Sequence, residues 1–440
     1  MTSRTFVTPS DARNASLTLA LAPGLTPDGP VHRPQFFHGC AVHPQVVTRG
    51  LLALADITAT RYSPYTPAAH RDPVLTAQGD RLRAECFSAC TGVYARLDLL
   101  ESGLDGGDIM YGTTNVDMGR GVRKALAAVA PAPRLQLAIG DDRPTISGPD
   151  ASAVERPVDM PTCWIRGLGN VATLHHGLTA AATVGASASR RFLGALPSAT
   201  GVGRSGWLAE NRGELRLSAR PGGSAVYLEG LHRLSAAKRL LPHVEGLTVY
   251  GPADRAAGPL VLELQLPTAR LVLGLTSESC RGHSGEDSLL SALTAPHALA
   301  QAKTVSALLS FDPVVDVPDL ARRAAIEESA AQTTLAVLAG SGRAGWDLHD
   351  GAHFHRQLPD SQDRVAADNP RAAAAQQLVA NGALRRLSPT EWTVRCNTAD
   401  YLVRLSIGGH WCTCAWFLCH ANTRGPCPHI LAVQRTTTNT

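Results

Sequence analysis

Apolar residues recur at helical spacing in short stretches that alternate with groups of strands. Residues 44–61 place apolar side chains at helical intervals behind a proline at the first turn, which predicts an amphipathic helix. Residues 74–100 instead alternate around a turn at Gln78-Gly79-Asp80, and the alternation resumes at 92–99. This pattern predicts a strand meander.

The same order of a helix followed by strands recurs along the chain. Residues 119–130 predict a second helix, followed by two strands about a Gly-Asp-Asp turn. A third helix is predicted with Ser187 as its cap, and a fourth starts at Ser235 and is limited by Pro242 to about two turns. Further strands are predicted at 214–218, 224–229, 246–251, 259–266 and 269–276. Four short helices, each followed by strands, predict an α+β fold with an internal repeat.

Residues 36–277 resemble the sliding clamps of DNA replication. The stretch GDRLRAECFSACTGVYARLDLLESGLD, followed by TTNVDMGRGVRKALAAVAPAPRLQLAIGDD, has the clamp order of a solvent-side strand run, a helix and a further hairpin. GLTVYGPADRAAGPLVLELQLPTARLVLGLT is similar to the closing strands of such a clamp. The resemblance implies helices that face DNA and therefore carry basic residues.

All four predicted helices do carry basic residues. Arg49 and Arg61 belong to the first, and the alternative to a DNA-facing surface is a solvated helix face in an arginine-rich protein. The nucleic-acid-binding candidates on the other three helices are Arg123, Lys124, Arg190, Arg191, Lys238 and Arg239.

The segment that follows predicts a helical connector. Residues 318–339 indicate one long amphipathic helix, and Gly340 and Gly342 indicate its end, since a dinucleotide-binding loop would follow a strand. His349, His353 and His355 are close enough in sequence for a metal, but the favoured interpretation is a polar loop with an inward His or Phe354. Residues 358–371 are typical of a linker.

The last segment predicts a helix, a strand hairpin and a further helix. The first helix, from 371, ends at Asn381-Gly382, and the strands that follow turn at Gly408-Gly409. The predicted domains are an N-terminal extension (1–35), the α+β body (36–300), the connector and linker (301–370) and a C-terminal module (371–440).

The composition of the chain predicts a globular protein and bears on its location in the cell. Apolar residues make up 44% of the chain and charged residues 18%, as in globular proteins. No run approaches the ~18 apolar residues of a membrane span, and the amino terminus is a poor signal peptide, so we expect a cytoplasmic protein without a membrane partner. The net charge is +4, and the positively charged side chains are almost wholly arginine, which reflects coding composition more than function.

The C-terminal stretch WCTCAWFLCHANTRGPCPHILAV, residues 411–433, has the spacing of a metal site. In a reducing compartment, clustered cysteines are metal ligands more often than disulfides. Cys412 and Cys414, two residues apart on a strand, point the same way, and Cys427 and His429 stand at a helix start. This Cys3His set predicts one structural Zn2+ per chain, with no position left for a catalytic water.

The string C-x-C-x12-C-x-H, with its hairpin and following helix, resembles the SWIM zinc finger over residues 390–435. Cys419 and His420 depart from the simple four-ligand pattern. They could replace ligands or form an accessory metal site, and the alternative is that they are loop residues near the metal.

The rest of the chain resembles a group of bacterial SWIM-finger proteins. The stretches FFHGCAVHPQVVTRGLLALAD, TTNVD, RRFLGALP, RGHSGE and GWDLHDGAHFHRQLP carry this likeness, with His283 departing from the phenylalanine expected there. Members are encoded beside MoxR-type AAA+ ATPases and von Willebrand A-domain proteins. The resemblance implies a recognition or adaptor component, and it supplies no catalytic residue.

Two functional hypotheses follow, because we recognise no catalytic constellation in the sequence. The first is a DNA- or RNA-binding protein; Trp411 and Trp416, among seven arginines in residues 371–440, could stack on bases or could simply cover a small core. The second is an adaptor for an AAA+ ATPase or an A-domain protein. An unrecognised nuclease or hydrolase ranks last.

Overall fold

A computed structural model describes most of the 440 residues. The described ranges are 4–6, 10–13, 16–62, 72–129, 133–140, 156–158, 162–201, 203–278, 282–283, 296–358, 370–397, 399–406, 409–421 and 425–437.

The strands are numbered in chain order and form six sheets. They are β1 (Arg4–Phe6), β2 (Asp11–Arg13), β3 (Ser16–Leu19), β4 (Gly24–Thr26), β5 (Gly29–Val31), β6 (Phe37–Ala41), β7 (Val74–Gln78), β8 (Arg81–Phe87), β9 (Val93–Leu100), β10 (Leu104–Asp105), β11 (Tyr111–Asn115), β12 (Leu135–Ile139), β13 (Arg156–Val158), β14 (Leu178–Gly185), β15 (Gly206–Asn211), β16 (Glu214–Ser218), β17 (Val226–Leu228), β18 (Gly246–Pro252), β19 (Leu260–Leu266), β20 (Ala269–Leu275), β21 (Ala344–Asp347), β22 (Ala352–His355), β23 (Leu384–Arg386), β24 (Glu391–Cys396), β25 (Ala399–Arg404) and β26 (Trp411–Cys412).

The helices complete a mixed α+β fold, as the sequence predicts. They are α1 (Pro44–Ala59), α2 (Arg120–Ala128), α3 (Thr162–His176), α4 (Ala186–Gly194), α5 (Pro296–Leu308), α6 (Val317–Ala324), α7 (Glu328–Gly340), α8 (Pro370–Ala380), α9 (Ala415–His420) and α10 (Pro428–Thr437), with 3-10 helices at Glu101–Gly103 and Leu231–His243.

A ten-stranded antiparallel sheet forms the centre of the body, in the order β14-β18-β19-β20-β9-β8-β7-β11-β4-β5. The predicted meander is confirmed as β7, β8 and β9, and its first turn places Gly79 at a φ of +81°, which glycine adopts readily. A five-stranded sheet, β10-β6-β12-β3-β2, lies beside it. Strands β2–β5, from residues 11–31, thus contribute to both sheets.

The two faces of the large sheet differ because side chains alternate along each strand. On one face the apolar residues of β8, β9 and β20 pack against α1 and the 3-10 helix Leu231–His243. The contact with α1 is close: a Cβ on Gly50 would lie 2.8 Å from Leu97 Cδ1. The helices therefore form one layer on this face.

Charged residues occupy the other face, which the clamp resemblance implies to be solvent-side. That expectation is wrong, because the β21–β22 hairpin covers the charges. Arg83 and Asp98 are fully buried and joined at 3.0 Å, and Asp347 of the hairpin lies 2.7 Å from Arg83 Nη2 and 3.0 Å from Arg96 Nη2. Burial raises the pKa of Asp347, but the guanidinium groups of Arg96, Arg83 and Arg270 offset this and hold it well below its ordinary value.

A second buried pair fixes the end of the hairpin. Arg356 donates to both carboxylate oxygens of Glu85, and Glu85 also accepts a hydrogen bond of 2.6 Å from Tyr94. Phe354 is fully buried, with the Arg83 guanidinium 3.8 Å from its ring centroid. Residues 344–356 are therefore an integral layer of the body. The polar loop that the sequence suggests is wrong, because these residues form two strands, whereas the expected inward Phe354 is confirmed.

The connector differs from its prediction in one further respect. The single helix expected at 318–339 is two helices, α6 and α7, because Ala325 adopts a left-handed conformation with a φ of +53° at the end of α6. The predicted end at Gly340 and Gly342 is confirmed, with Gly342 at a φ of +75°. The 3-10 helix that includes Ser235 begins at Leu231.

Other local predictions have mixed outcomes. Ser187 does not cap α4, whose first residue is Ala186 and whose cap position is the extended Gly185. Helices α3 and α5 and strands β1–β6 and β15 are among the elements that the sequence does not predict. The strand expected after the Gly-Asp-Asp turn and the linker at 359–369 lie outside the described residues.

The C-terminal module has its own small core. Strands β23–β26 form an antiparallel sheet in chain order, and α8 packs against α10. Among the described residues, every member of the module's hydrophobic clusters lies within residues 372–433. These members include Trp392, Val394, Val403, Phe417 and Ile430. This core also contains the cysteines of the predicted metal site.

Candidate metal centre and basic helical layer

Four predicted ligands converge inside the C-terminal module. One sulfur or nitrogen atom from each of Cys412, Cys414, Cys427 and His429 lies within 4.8 Å of all the others, and all four residues are buried. These residues can hold a metal ion. Among the described residues, we find no other group of three or more Cys, His, Asp or Glu side chains with metal-binding geometry.

Each ligand is positioned by a different piece of local structure. Cys412 ends strand β26, and Cys414 is the residue that caps α9, with its Sγ accepting from the Phe417 amide at 3.4 Å. Cys427 follows the turn at Gly425, whose φ is +68°, and His429 is in the first turn of α10. Cys414 thus enters the site as a helix cap and not as a strand residue.

The distances fit a tetrahedral thiolate and imidazole site. The His429 Nδ1 atom lies 3.8 Å from Cys412 Sγ and 3.9 Å from Cys427 Sγ. Tetrahedral zinc with typical Zn–S and Zn–N bonds separates its sulfur and nitrogen ligands by about 3.6 Å. These two sulfur–nitrogen distances therefore need to shorten by only a few tenths of an ångström for His429, Cys412 and Cys427 to contact one ion.

The electrostatics of the cluster also call for a cation. Contacts with the Cys412 and Cys427 thiols lower the pKa of Cys414, whereas contact with Cys414 raises the pKa of Cys412. Hydrogen bonds from the other two thiols thus favour a thiolate at Cys414, and that thiolate opposes the ionisation of Cys412. A bound dication removes that opposition by neutralising the thiolates.

Two aromatic residues surround the ligands. The Tyr401 ring stacks on His429 with centroids 4.4 Å apart and an interplanar angle of 28°. The Arg371 guanidinium lies 4.6 Å from the Trp416 ring centroid and also donates to the Pro426 carbonyl, just before Cys427. Trp416 is half-buried, whereas Trp411 is 40% exposed. Of the two tryptophans, only Trp416 therefore covers the small core beside the ligands.

Cys419 and His420 are not in the ligand cluster. The segment predicted as a connecting loop is the short helix α9, which carries Cys419 to an exposed position. His420 contacts the Trp416 ring edge-on at 4.5 Å. The structure thus places both residues near the four ligands without adding them to the site.

The three connector histidines likewise remain apart from metal-binding geometry within the described residues. His353 Nδ1 is 3.1 Å from the Gly345 carbonyl, and the Phe311 amide donates to His355 Nδ1 at 2.8 Å. His349 pairs with Glu263 at 3.0 Å, which raises its pKa. The contacts of these histidines therefore stabilise the β21–β22 hairpin and its packing on the body.

The four helical segments with predicted basic residues are neighbours. Helix α1 packs between α2 and the 3-10 helix Leu231–His243, and that 3-10 helix packs against α4. Together these segments carry one acid, Asp56, and nine arginines and lysines. We call this set of segments the basic helical layer.

The basic side chains of the layer are partly engaged with their surroundings. Arg239 forms an exposed ion pair with Asp56, Lys238 donates to the Leu196 carbonyl at 2.8 Å, and Arg190 donates to the Val244 carbonyl. Arg191 pairs with Glu214 at 3.2 Å. Lys238, Arg239, Arg190 and Arg191 nevertheless remain exposed to solvent.

Arg123 and Lys124 complete the layer on α2. Lys124 is exposed and Arg123 half-buried, and neither has an ion-pair partner among the described residues. Across the layer, burial and the nearby charges of Arg49, His43 and Arg190 lower the pKa of His243. Positive groups from separate helices therefore act on the same region.

Comparison with known proteins gives a structural likeness alone. No family model and no curated protein matches the chain. The chain is similar to the crystal structure of Proliferating Cellular Nuclear Antigen from Entamoeba histolytica, with 11% identity and a TM-score of 0.34 over 55% of this chain and 99% of that one. It is also similar to the PCNA2-PCNA3 complex from Sulfolobus tokodaii, with 9% identity and a TM-score of 0.35 over 55% of this chain and 100% of that one.

The described helices also bear on the membrane prediction. Among them, we find none that is both long enough and apolar enough to cross a bilayer.

Proposed function

We propose that this chain is a non-enzymatic nucleic-acid-binding protein with a structural zinc centre of the SWIM type. The basic helical layer is the main contact with DNA or RNA, and the zinc holds the C-terminal module together. The observation that carries the proposal is the charge of the layer: its adjacent segments contain one acid and nine arginines and lysines, of which Arg233 is fully buried and takes no part in the surface.

The layer has the features of a sequence-independent phosphate contact. Arginine and lysine side chains that neutralise phosphates supply most of non-specific nucleic-acid affinity. A depression of about 220 Å³ between α1 and α2 is lined by Arg49 and Arg239, which gives one place for a phosphate to approach two guanidinium groups. Such contacts hold the backbone and do not read bases.

The donor set supports zinc as the metal. Three buried thiols and one imidazole form a closed set of four ligands, the composition of structural zinc sites. With all four positions filled by protein, the ion stabilises the fold and does not activate water. The Tyr401 ring on His429 and the Trp416 ring beside Cys414 limit solvent access to the ligands.

The test of nucleic-acid binding is a triple charge reversal, Arg123→Glu, Arg190→Glu and Arg239→Glu. We expect affinity for duplex DNA or RNA to fall by at least about tenfold at low salt, and the slope of log affinity against log salt to shrink by up to ~2.7. Fluorescence anisotropy at several salt concentrations measures both quantities.

The matched control reverses three exposed arginines on other elements, Arg134→Glu, Arg322→Glu and Arg323→Glu, with the same change in net charge. We expect a much smaller loss for the control. Equal losses for both triples, or none for the layer triple, would contradict the proposal.

One observation favours a second function, that of a protein adaptor. Leu418 is 68% exposed and Trp411 40% exposed on neighbouring elements of the module, and exposed apolar side chains of this size often mark protein contacts. An AAA+ ATPase or a von Willebrand A-domain protein is the partner class for this alternative. A pull-down with and without nuclease separates the two functions, since an adaptor retains its partner after nuclease treatment.

A further inference from the structure

A groove in the C-terminal module runs between α8, the hairpin strands and the metal ligands. Its volume is about 1030 Å³, and its walls include Cys414 and His429, so it lies directly beside the candidate metal centre. We call it the metal-side groove. Apart from those two ligands, its lining residues lie outside the metal site, and the structural role proposed for zinc gives them no function.

The rim of the groove is positive. Arg371, Arg385 and Arg395 line it, against a single carboxylate, Asp400. Asp400 already pairs with Arg395 at 2.9 Å, and Arg385 is exposed on the edge strand β23. The charge of the groove is therefore suited to an anionic occupant.

Its walls also carry two aromatic rings that are fixed in place. Tyr401 is held by its stack on His429, and Trp416 is held by Arg371, a side chain that is nine-tenths buried. The Trp416 Nε1 atom is buried without a hydrogen-bond partner among the described residues. Rings held in this way offer stacking surface at little entropic cost.

Polar amides complete the lining. Gln377, Asn381 and Asn397 line the groove, and each carries a side-chain amide with a donor and an acceptor. Arginines alone would suit any polyanion, including an acidic peptide. The combination of guanidinium groups, aromatic rings and side-chain amides instead matches the three parts of a nucleotide: phosphate, base face and base edge.

We propose that the metal-side groove binds a single-stranded segment of nucleic acid, an inference that rests on the proposed nucleic-acid-binding function. A duplex is excluded as the occupant because its bases are stacked on each other and cannot reach the rings on the groove wall. The groove therefore engages unpaired nucleotides, while the basic helical layer contacts the backbone of either form.

The test exploits pairs of matched arginines. Arg385 and Arg386 are adjacent and exposed on β23, and only Arg385 lines the groove. Arg395 and Arg404 are exposed on β24 and β25, and each pairs with a carboxylate on the neighbouring strand, but only Arg395 lines the groove. Arg385→Glu with Arg395→Glu is the groove variant, and Arg386→Glu with Arg404→Glu is the control.

The measurement uses the full-length, zinc-loaded chain and a fluorescein-labelled oligothymidylate, followed by anisotropy. We expect the groove variant to bind at least about tenfold more weakly and to lose about 1.4 from its salt slope, since each single-strand phosphate contact contributes ~0.7. The control should change affinity by less than about threefold. Equal losses in both variants would overturn the proposal, as would unchanged binding in the groove variant.

Two further readouts make the outcome specific. Zinc content and the midpoint of thermal unfolding must match between the groove variant and the control. A match shows that any loss of binding is not caused by unfolding of the module. Unlabelled oligothymidylate should displace the probe better than poly-glutamate of equal charge; equal displacement would assign the groove to acidic peptides and overturn the proposal.

Failure here is distinguishable from failure of the proposed function. If the groove variant keeps full single-strand affinity while the layer triple still loses duplex binding, the groove assignment alone fails. The opposite result is that the triple charge reversal in the basic helical layer leaves duplex binding unchanged while the groove variant loses oligothymidylate binding. In that case the role proposed for the basic helical layer is wrong and the groove assignment stands.

Discussion

The body and the C-terminal module are stabilised by different means. The body buries a large apolar cluster on one face of its ten-stranded sheet and an ion-pair network on the other. The module has a small apolar core in which three of the four metal ligands are themselves core members. The difference shows that a segment too small for a sufficient core can rely on a metal, whereas a large sheet can tolerate buried charge if each charge has partners.

Metal removal should have the largest effect, and that effect should be confined to the module. Cys427→Ser, or a chelator, should unfold residues 390–435, because structural zinc contributes on the order of 10 kcal/mol in small zinc domains. Hydrogen exchange followed by mass spectrometry should show lost protection in β24–β26 and α10, with unchanged protection in β8, β9 and β20.

Cys419→Ser is the matched control for that experiment, since Cys419 lies in the same module but is exposed and outside the ligand cluster. It should retain about one Zn2+ per chain. Full zinc content after the Cys427 change would transfer the ligand role to Cys419 and contradict the assignment.

The next largest effect should come from the charged face of the sheet. Asp347→Asn leaves Arg83 and Arg96 without one of their two shared carboxylates, and breaking a buried pair on one side costs about 3–5 kcal/mol. Chemical denaturation should show this loss in the body transition. A loss below about 1 kcal/mol would mean that water enters the network and screens its charges.

Acid should weaken the body through its buried histidines. Burial lowers the pKa of His283 and His353 to about 4, whereas unfolded histidine titrates near 6.5. Between those values the unfolded state binds more protons, so the free energy of unfolding should fall as the pH drops from about 6.5 to about 4. His353→Gln, which keeps a donor for the Gly345 carbonyl, should make the fall shallower; an unchanged slope would contradict this account.

The smallest effect should be that of Asp56→Asn, the exposed counterpart of Asp347→Asn. Asp56 also contacts an arginine, Arg239, but both side chains are about two-fifths exposed. Exposed pairs contribute roughly 0–1 kcal/mol and weaken further in salt. Similar losses for the two substitutions, in the same denaturation assay, would show that burial does not set the difference between the two pairs.

The sequence is informative wherever a local rule decides the structure. The spacing of Cys412, Cys414, Cys427 and His429 is sufficient to identify the ligand cluster, because the ligand atoms must meet within a few ångströms. The turns at Gly79 and Gly382 follow equally from local backbone preference, since both have positive φ. These predictions needed no knowledge of distant contacts.

The predictions that failed depend on distant partners. Arg83 and Asp98 alternate with apolar residues, the usual pattern of a solvent-facing strand side, and only the arrival of Asp347 from far along the chain buries them. Helix α3 packs against α7 and β21, but it contains Gly167, Gly169 and Asn170, which are unfavourable inside helices, so its local sequence does not indicate a helix. The metal-side groove likewise exists only once α8 meets the hairpin.

The covering of the sheet by residues 344–356 has a consequence for biosynthesis. Arg356 binds Glu85 across 271 positions of sequence, and Gln78 reaches the His355 carbonyl across 277. Contacts of such long range form slowly, and translation delivers the amino-terminal partners first. A nascent chain therefore exposes a row of charged side chains on this sheet until residues 344–356 emerge from the ribosome.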